Sequence, residues 1–137
     1  MLAPLAIGYL ATGLAFLLLD ALWLGTMASR LYRPQLGELM LDGFRFAPAA
    51  IFYLLYVAGI VFFALQPAWQ SGRWTTALLH GALVGLLGYG TYNLTNLATL
   101  KGWSLTVTLA DTAWGTLATA LAATIGFVVS QALAGGR

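Results

Sequence analysis

The sequence contains no cysteine, one histidine and very little charge. Without cysteine, a single chain cannot build a disulfide, a thiolate metal site, an iron–sulfur centre or a c-type haem attachment, so we expect no metal and no cofactor. Charged residues make up only 7% of the 137 residues, against about a quarter in soluble domains. The net charge of +2 is carried by scattered basic residues, which argues against nucleic-acid binding.

Long apolar runs fill most of the chain. Hydrophobic residues make up 61% of it and the mean hydropathy is +0.86, both typical of integral membrane proteins. A membrane-crossing helix needs about 20 apolar residues. Asp20 interrupts the first run, and no positive segment precedes it, so we interpret that run as a retained span rather than a signal peptide. Four runs are long enough: residues 3–28, 46–66, 75–100 and 104–134.

The breaks between the later runs are short, which predicts antiparallel neighbouring helices. Pro67 is expected to end the second span, residues 70–73 form a polar turn, and Lys101 and Gly102 separate the last two spans. The predicted fold is therefore all-α: a polytopic integral membrane protein with a four-helix transmembrane bundle, forming one domain over residues 1–137.

The first connector, residues 29–45, carries five of the ten charged residues. Pro34 can open a short helix and Gly43 can close it. We predict a short amphipathic helix along the membrane interface between helices one and two, and a solvated loop is the alternative. Three apolar residues share one face of this helix: Leu36, Leu39 and Met40.

Lysine and arginine counts predict the orientation. Four basic residues lie in the first and third connectors, and two lie on the opposite side. The counts favour a cytoplasmic first connector and two periplasmic chain ends, and dual topology is the alternative. The two sets are Arg30, Arg33, Arg45 and Lys101 against Arg73 and Arg137.

One motif occurs twice: an aspartate followed three residues later by a tryptophan, within an apolar run. The two copies are Asp20 with Trp23 and Asp111 with Trp114. A carboxylate at membrane depth costs about 2.5–3.5 kcal/mol on insertion scales, so such a residue is a candidate for a functional site. Two of the four acidic residues of the chain lie in these positions.

The span boundaries place both aspartates about 10–12 Å from the same membrane surface. Spans two and three bring phenols and amides to that depth, so all four helices are expected to contribute to one polar layer. The small residues that follow Asp111, namely Gly115, Ala118 and Ala122, indicate a face in close helix contact. Ten residues are candidates for ligand binding or a proton site: Asp20, Trp23, Tyr53, Tyr56, Tyr89, Tyr92, Asn93, Asn96, Asp111 and Trp114.

The chain also resembles a known family in four tracts, residues 16–25, 52–56, 89–103 and 111–115. These tracts are similar to domain-of-unknown-function family 2177, small predicted membrane proteins of bacteria. The resemblance implies a multi-pass bacterial inner-membrane protein of four helices and brings no assigned activity. It departs at Asn93, where family members often carry aspartate, and this weakens any mechanism that needs three carboxylates.

Three functions are compatible with a buried polar layer. The first is binding or transport of a small amphipathic, cationic or lipid-like ligand, with protonation as a coupling step and a homodimer to enclose the pathway. The second is a lipid-modifying enzyme with one aspartate as base and the other as acid. The sequence argues against it because it offers no obvious nucleophile or metal set, and we assign no catalytic residue. The third is an accessory subunit whose polar layer only fixes helix packing. The expected partners are the lipid bilayer, a second copy and the small ligand.

Overall fold

In the computed structural model, residues 2–41 and 43–134 are described, and every regular element in these two stretches is helical. The predicted all-α four-helix bundle is confirmed. The elements are α1 (Leu2–Met27), a π-helical turn (Ala28–Tyr32), α2 (Arg33–Leu36), a 3₁₀ turn (Gly37–Leu39), α3 (Phe46–Ile60), a second π-helical turn (Val61–Leu65), α4 (Gln66–Ser71), α5 (Trp74–Thr99) and α6 (Leu105–Leu133).

Within the described residues, three helices are long and apolar enough to cross a membrane: Leu2–Leu39, Phe46–Ser71 and Leu105–Leu133. The remaining long helix, α5, has 26 residues and would span about 39 Å. Its lower apolarity reflects its glycines and the Tyr, Asn and Thr residues near its C-terminal end. α5 packs along the length of α6 in antiparallel register, because Gly81 faces Ala123 at one end and Asn93 bonds Asp111 at the other.

Small residues allow α5 and α6 to approach closely. A Cβ atom added to Gly81 would lie 2.8 Å from the Cβ of Ala123, and one added to Gly85 would collide with the backbone of Gly115 and Thr116. On its other side, α6 buries Ala118 and Ala122 against Phe16 of α1. α6 is therefore the central helix of the bundle, in agreement with the predicted small-residue face.

Each π-helical turn precedes a proline by two residues, at Pro34 and at Pro67. The predicted end of the second span at Pro67 is wrong, because the helix continues to Ser71 and ends at Gly72, which has a φ of +73°. In a regular α-helix the N–H of residue 67 would bond the Phe63 carbonyl, but proline has no N–H. The Nδ1 atom of His80 donates to that carbonyl instead, at 3.2 Å. A π-helical turn and a neighbouring helix thus accommodate the proline.

The first π-helical turn follows α1 directly. Tyr32 lies at its end, and the Trp23 indole donates to the Tyr32 hydroxyl at 2.7 Å. Ser104, which caps α6, donates to Gln35 at 2.8 Å and fixes the connector over that end of the bundle. The short helix α2 ends at Gly37, where φ is +54°, and not at the predicted Gly43.

α3 and α5 converge at one end of the bundle and diverge at the other. After Ile60 the second long helix packs into an apolar cluster that includes Ala77 of α5 and Phe127 of α6. Toward its N-terminal end α3 leans on α1, where the Tyr9 hydroxyl donates to the Leu54 carbonyl at 2.9 Å. This divergence leaves a gap between α3 and α5 beside the predicted polar layer.

Candidate functional site

Asp111 lies at the centre of a buried hydrogen-bond network. The Tyr32 hydroxyl donates to its Oδ1 atom, and the Asn93 amide donates to its Oδ2 atom at 2.8 Å. The same amide donates to the Tyr89 carbonyl at 2.9 Å. Asp111 is 9% exposed and Asn93 is fully buried. Side chains from the first π-helical turn and from α5 therefore converge on one carboxylate of α6.

Tyr32 belongs to this network although sequence analysis placed its segment at the membrane interface. Tyr32 lies in the first π-helical turn, its hydroxyl donates to Asp111, and the Trp23 indole donates to the same hydroxyl. This connector is rich in arginine, and nothing in its sequence indicates that the tyrosine is buried.

Asp20 forms a second centre on α1. The Tyr53 hydroxyl of α3 donates to its Oδ2 atom. The Trp114 indole approaches the same carboxylate without a hydrogen bond of normal geometry. The tryptophans of the two Asp-x-x-Trp motifs stack, with ring centroids 4.7 Å apart and planes 5° from parallel. This stacking sets the two motifs side by side on α1 and α6.

The gap between α3 and α5 forms a cavity of about 480 Å³, which we call the outer cavity. Asp111 supplies its charged end, while Phe52 and Tyr92, 46% and 53% exposed, stand at its open side. The lining residues are Phe52, Tyr56, Gly88, Tyr89, Tyr92 and Asp111.

A smaller cavity of about 160 Å³, the inner cavity, lies toward the connector end of the bundle. Both Asp20 and Asp111 line it, together with Tyr32 of the connector and Trp103 of the last turn. It shares three lining residues with the outer cavity, so the two cavities adjoin. The shared residues are Tyr89, Tyr92 and Asp111.

A family model described as "Predicted membrane protein (DUF2177)" matches residues 5–128. The chain belongs to the DUF2177 family. No curated protein and no solved structure matches the chain. The DUF2177 match includes both Asp-x-x-Trp motifs and all the residues that line the two cavities.

The structure brings nine of the ten candidate residues of this DUF2177 protein into one region. Tyr56 lines the outer cavity and shares a 2.7 Å hydrogen bond with Thr119. Tyr92 contacts Trp103 edge to face, with centroids 5.6 Å apart. Asn96 is the exception among the described residues, since it lines neither cavity and its side chain makes no hydrogen bond to the others, whereas Tyr53 and Asn93 bond the two aspartates.

The charge of the site in this DUF2177 protein has one sign. Among the described residues that line the two cavities, the charged side chains are Asp20 and Asp111. The remaining lining groups are phenols, an indole and apolar side chains, and the nearby donors are hydroxyl and amide groups. Aromatic faces also attract cations, because the ring quadrupole is negative over the face. The site is therefore complementary to a positively charged, largely apolar molecule.

Proposed function

We propose that the chain binds a small cationic amphipathic molecule in the outer cavity, with Asp111 as its counter-charge. The observation that supports this proposal is a cavity with aromatic walls and one buried carboxylate. Its volume of about 480 Å³ lies within the range of ligand sites in proteins, about 300–1,000 Å³.

The wall of the outer cavity fits an organic cation. Phe52 and Tyr56 stack with centroids 5.0 Å apart, and Tyr56 meets Tyr89 edge to face at 6.1 Å. A cation over such faces gains about 0.5–2 kcal/mol per ring, more where water is excluded. The open side between α3 and α5 would admit the apolar part of the molecule from the lipid phase.

A packing role is the second candidate, because both oxygens of Asp111 already accept hydrogen bonds. A hydrogen bond in a membrane protein contributes about 0.6 kcal/mol on average, which is less than the cost of burying a carboxylate. The two cavities beside Asp111 also leave the polar layer unsealed. These features favour ligand binding over packing alone.

Equilibrium binding of two probes of equal shape and opposite charge tests the proposal. We expect the purified full-length protein to bind tetraphenylphosphonium saturably and to bind tetraphenylborate much more weakly. Asp111→Asn should lower the affinity for tetraphenylphosphonium about tenfold or more, because it removes the charge and preserves the shape. Glu38→Gln, at an exposed carboxylate, is the charge-matched control and should bind as the parent does.

A substitution in the aromatic wall of the outer cavity tests the proposal even if Asp111→Asn does not fold. Phe52→Ala removes an exposed ring that takes no part in the Asp111 hydrogen bonds, and it should weaken tetraphenylphosphonium binding several-fold. Phe46→Ala, at a ring that is 73% exposed outside both cavities, is its control. Equal binding by Phe52→Ala and Phe46→Ala, or by Asp111→Asn and the parent, would contradict the proposal.

A further inference from the structure

The two cavities differ in size and in charge. The outer cavity, about 480 Å³, is lined by one carboxylate and by aromatic rings. The inner cavity, about 160 Å³, is lined by two carboxylates. Since Asp111 and Tyr92 belong to both linings, a molecule that occupies the outer cavity already touches the boundary of the inner one.

Asp20 is the residue that distinguishes the inner cavity electrostatically. It lines the inner cavity and not the outer one. The Tyr53 hydroxyl bonds its Oδ2 atom, and the Trp114 indole N–H nearby has no hydrogen-bond partner among the described residues. No basic side chain lines the inner cavity within the described part of the chain. A positive group placed there would lie near both carboxyl groups, those of Asp20 and Asp111.

From this arrangement we infer the class of ligand: a single-tailed amphipath whose small ammonium head lies in the inner cavity between Asp20 and Asp111, and whose tail lies in the outer cavity. This inference rests on the proposed function and extends it. The volume of the inner cavity admits a compact head and excludes a bulky one, so head size determines specificity. Leu24 and Trp103 form part of the wall that sets this limit.

Probes that share a tail and differ in head size test the inference. Octylammonium has a compact head, octyltriphenylphosphonium has a bulky one, and tetraphenylphosphonium has no tail. In the full-length protein, Asp20→Asn should lower the affinity for octylammonium about tenfold or more. It should leave the affinities for both phosphonium probes unchanged, because their heads stay in the outer cavity.

A steric variant tests the same point without changing a carboxylate. Leu24→Trp fills the inner cavity and should also weaken octylammonium selectively, while Leu22→Trp, on the same helix but lining neither cavity, should not. Octylammonium binding that survives both Asp20→Asn and Leu24→Trp would overturn the inference. An equal loss for all three probes in Asp20→Asn would also overturn it. Absence of tetraphenylphosphonium binding in the parent protein would instead overturn the proposed function.

Discussion

At the scale of single residues, Asn93 shows how the chain supports a buried carboxylate without a cationic side chain. It is fully buried, and its amide donates to both Asp111 and the Tyr89 carbonyl. Its Oδ1 atom has no hydrogen-bond partner among the described residues. Asparagine thus acts here as a donor to a carboxylate, a role that aspartate fills only when protonated.

Replacing Asn93 by leucine should destabilise the bundle. The variant loses two hydrogen bonds and leaves Asp111 with one fewer donor, so we expect the free energy of unfolding to fall by about 1–2 kcal/mol. Unfolding by dodecyl sulfate in mixed micelles, followed by circular dichroism, measures the change. Asn96→Leu is the matched control on the same helix and should change stability by less than about 0.5 kcal/mol. Equal losses in the two variants would contradict the assigned role of Asn93.

Some residues of the site can be predicted from the sequence, and others cannot. Asp20 and Asp111, for which the regular rise of a helix predicts an equal depth, both line the inner cavity. Tyr89 and Tyr92 line both cavities, and Asn96, which the sequence groups with them, lines neither. The sequence does not indicate Tyr32, because hydropathy does not report the contact of its hydroxyl with Asp111, 79 residues away.

At the scale of helices, hydropathy predicts the positions of the long helices, but proline is a poor guide to where the second one ends. Ser104 was predicted to start the last span, and it caps α6 by accepting from Val107 at 3.0 Å. Pro67 was predicted to end a helix that in fact continues. The difference arises because a π-helical turn and a side chain from another helix accommodate the proline. Neither is visible in a single run of sequence.

A double-mutant cycle tests this account of Pro67. His80→Leu removes the donor to the Phe63 carbonyl and should lower the free energy of unfolding by about 1 kcal/mol or more. Pro67→Ala restores a backbone N–H that can serve the same carbonyl. We therefore expect His80→Leu to be less destabilising in the Pro67→Ala background, with a coupling energy of at least about 0.5 kcal/mol. Strict additivity in dodecyl sulfate unfolding would show that His80 does not replace the missing donor.

At the scale of the whole molecule, residues far apart in the sequence line the same two cavities. The homodimer that the sequence suggested stays a prediction. The duplicated motif links two helices, because Trp23 of α1 stacks on Trp114 of α6 and each tryptophan belongs to the same motif as one of the aspartates. The open side of the outer cavity and the connector end of the inner cavity give the site two boundaries with different surroundings.

The orientation of those boundaries in the membrane is the last prediction. Ser104 contacts Gln35, so the first connector and the last turn lie at one end of the bundle. The excess of basic residues, four against two, predicts that this end is cytoplasmic.

Because the chain has no cysteine, single cysteine substitutions can show which side of the membrane a position faces, by labelling with an impermeant maleimide. In intact cells we expect labelling of Gln70→Cys and protection of Ser29→Cys and Thr99→Cys; all three positions are exposed, and none of the changes alters the charge. Labelling of Ser29→Cys alone would contradict the predicted orientation. Two added lysines, Gln70→Lys and Ser71→Lys, would equalise the counts at four each, and labelling should then divide between the two ends.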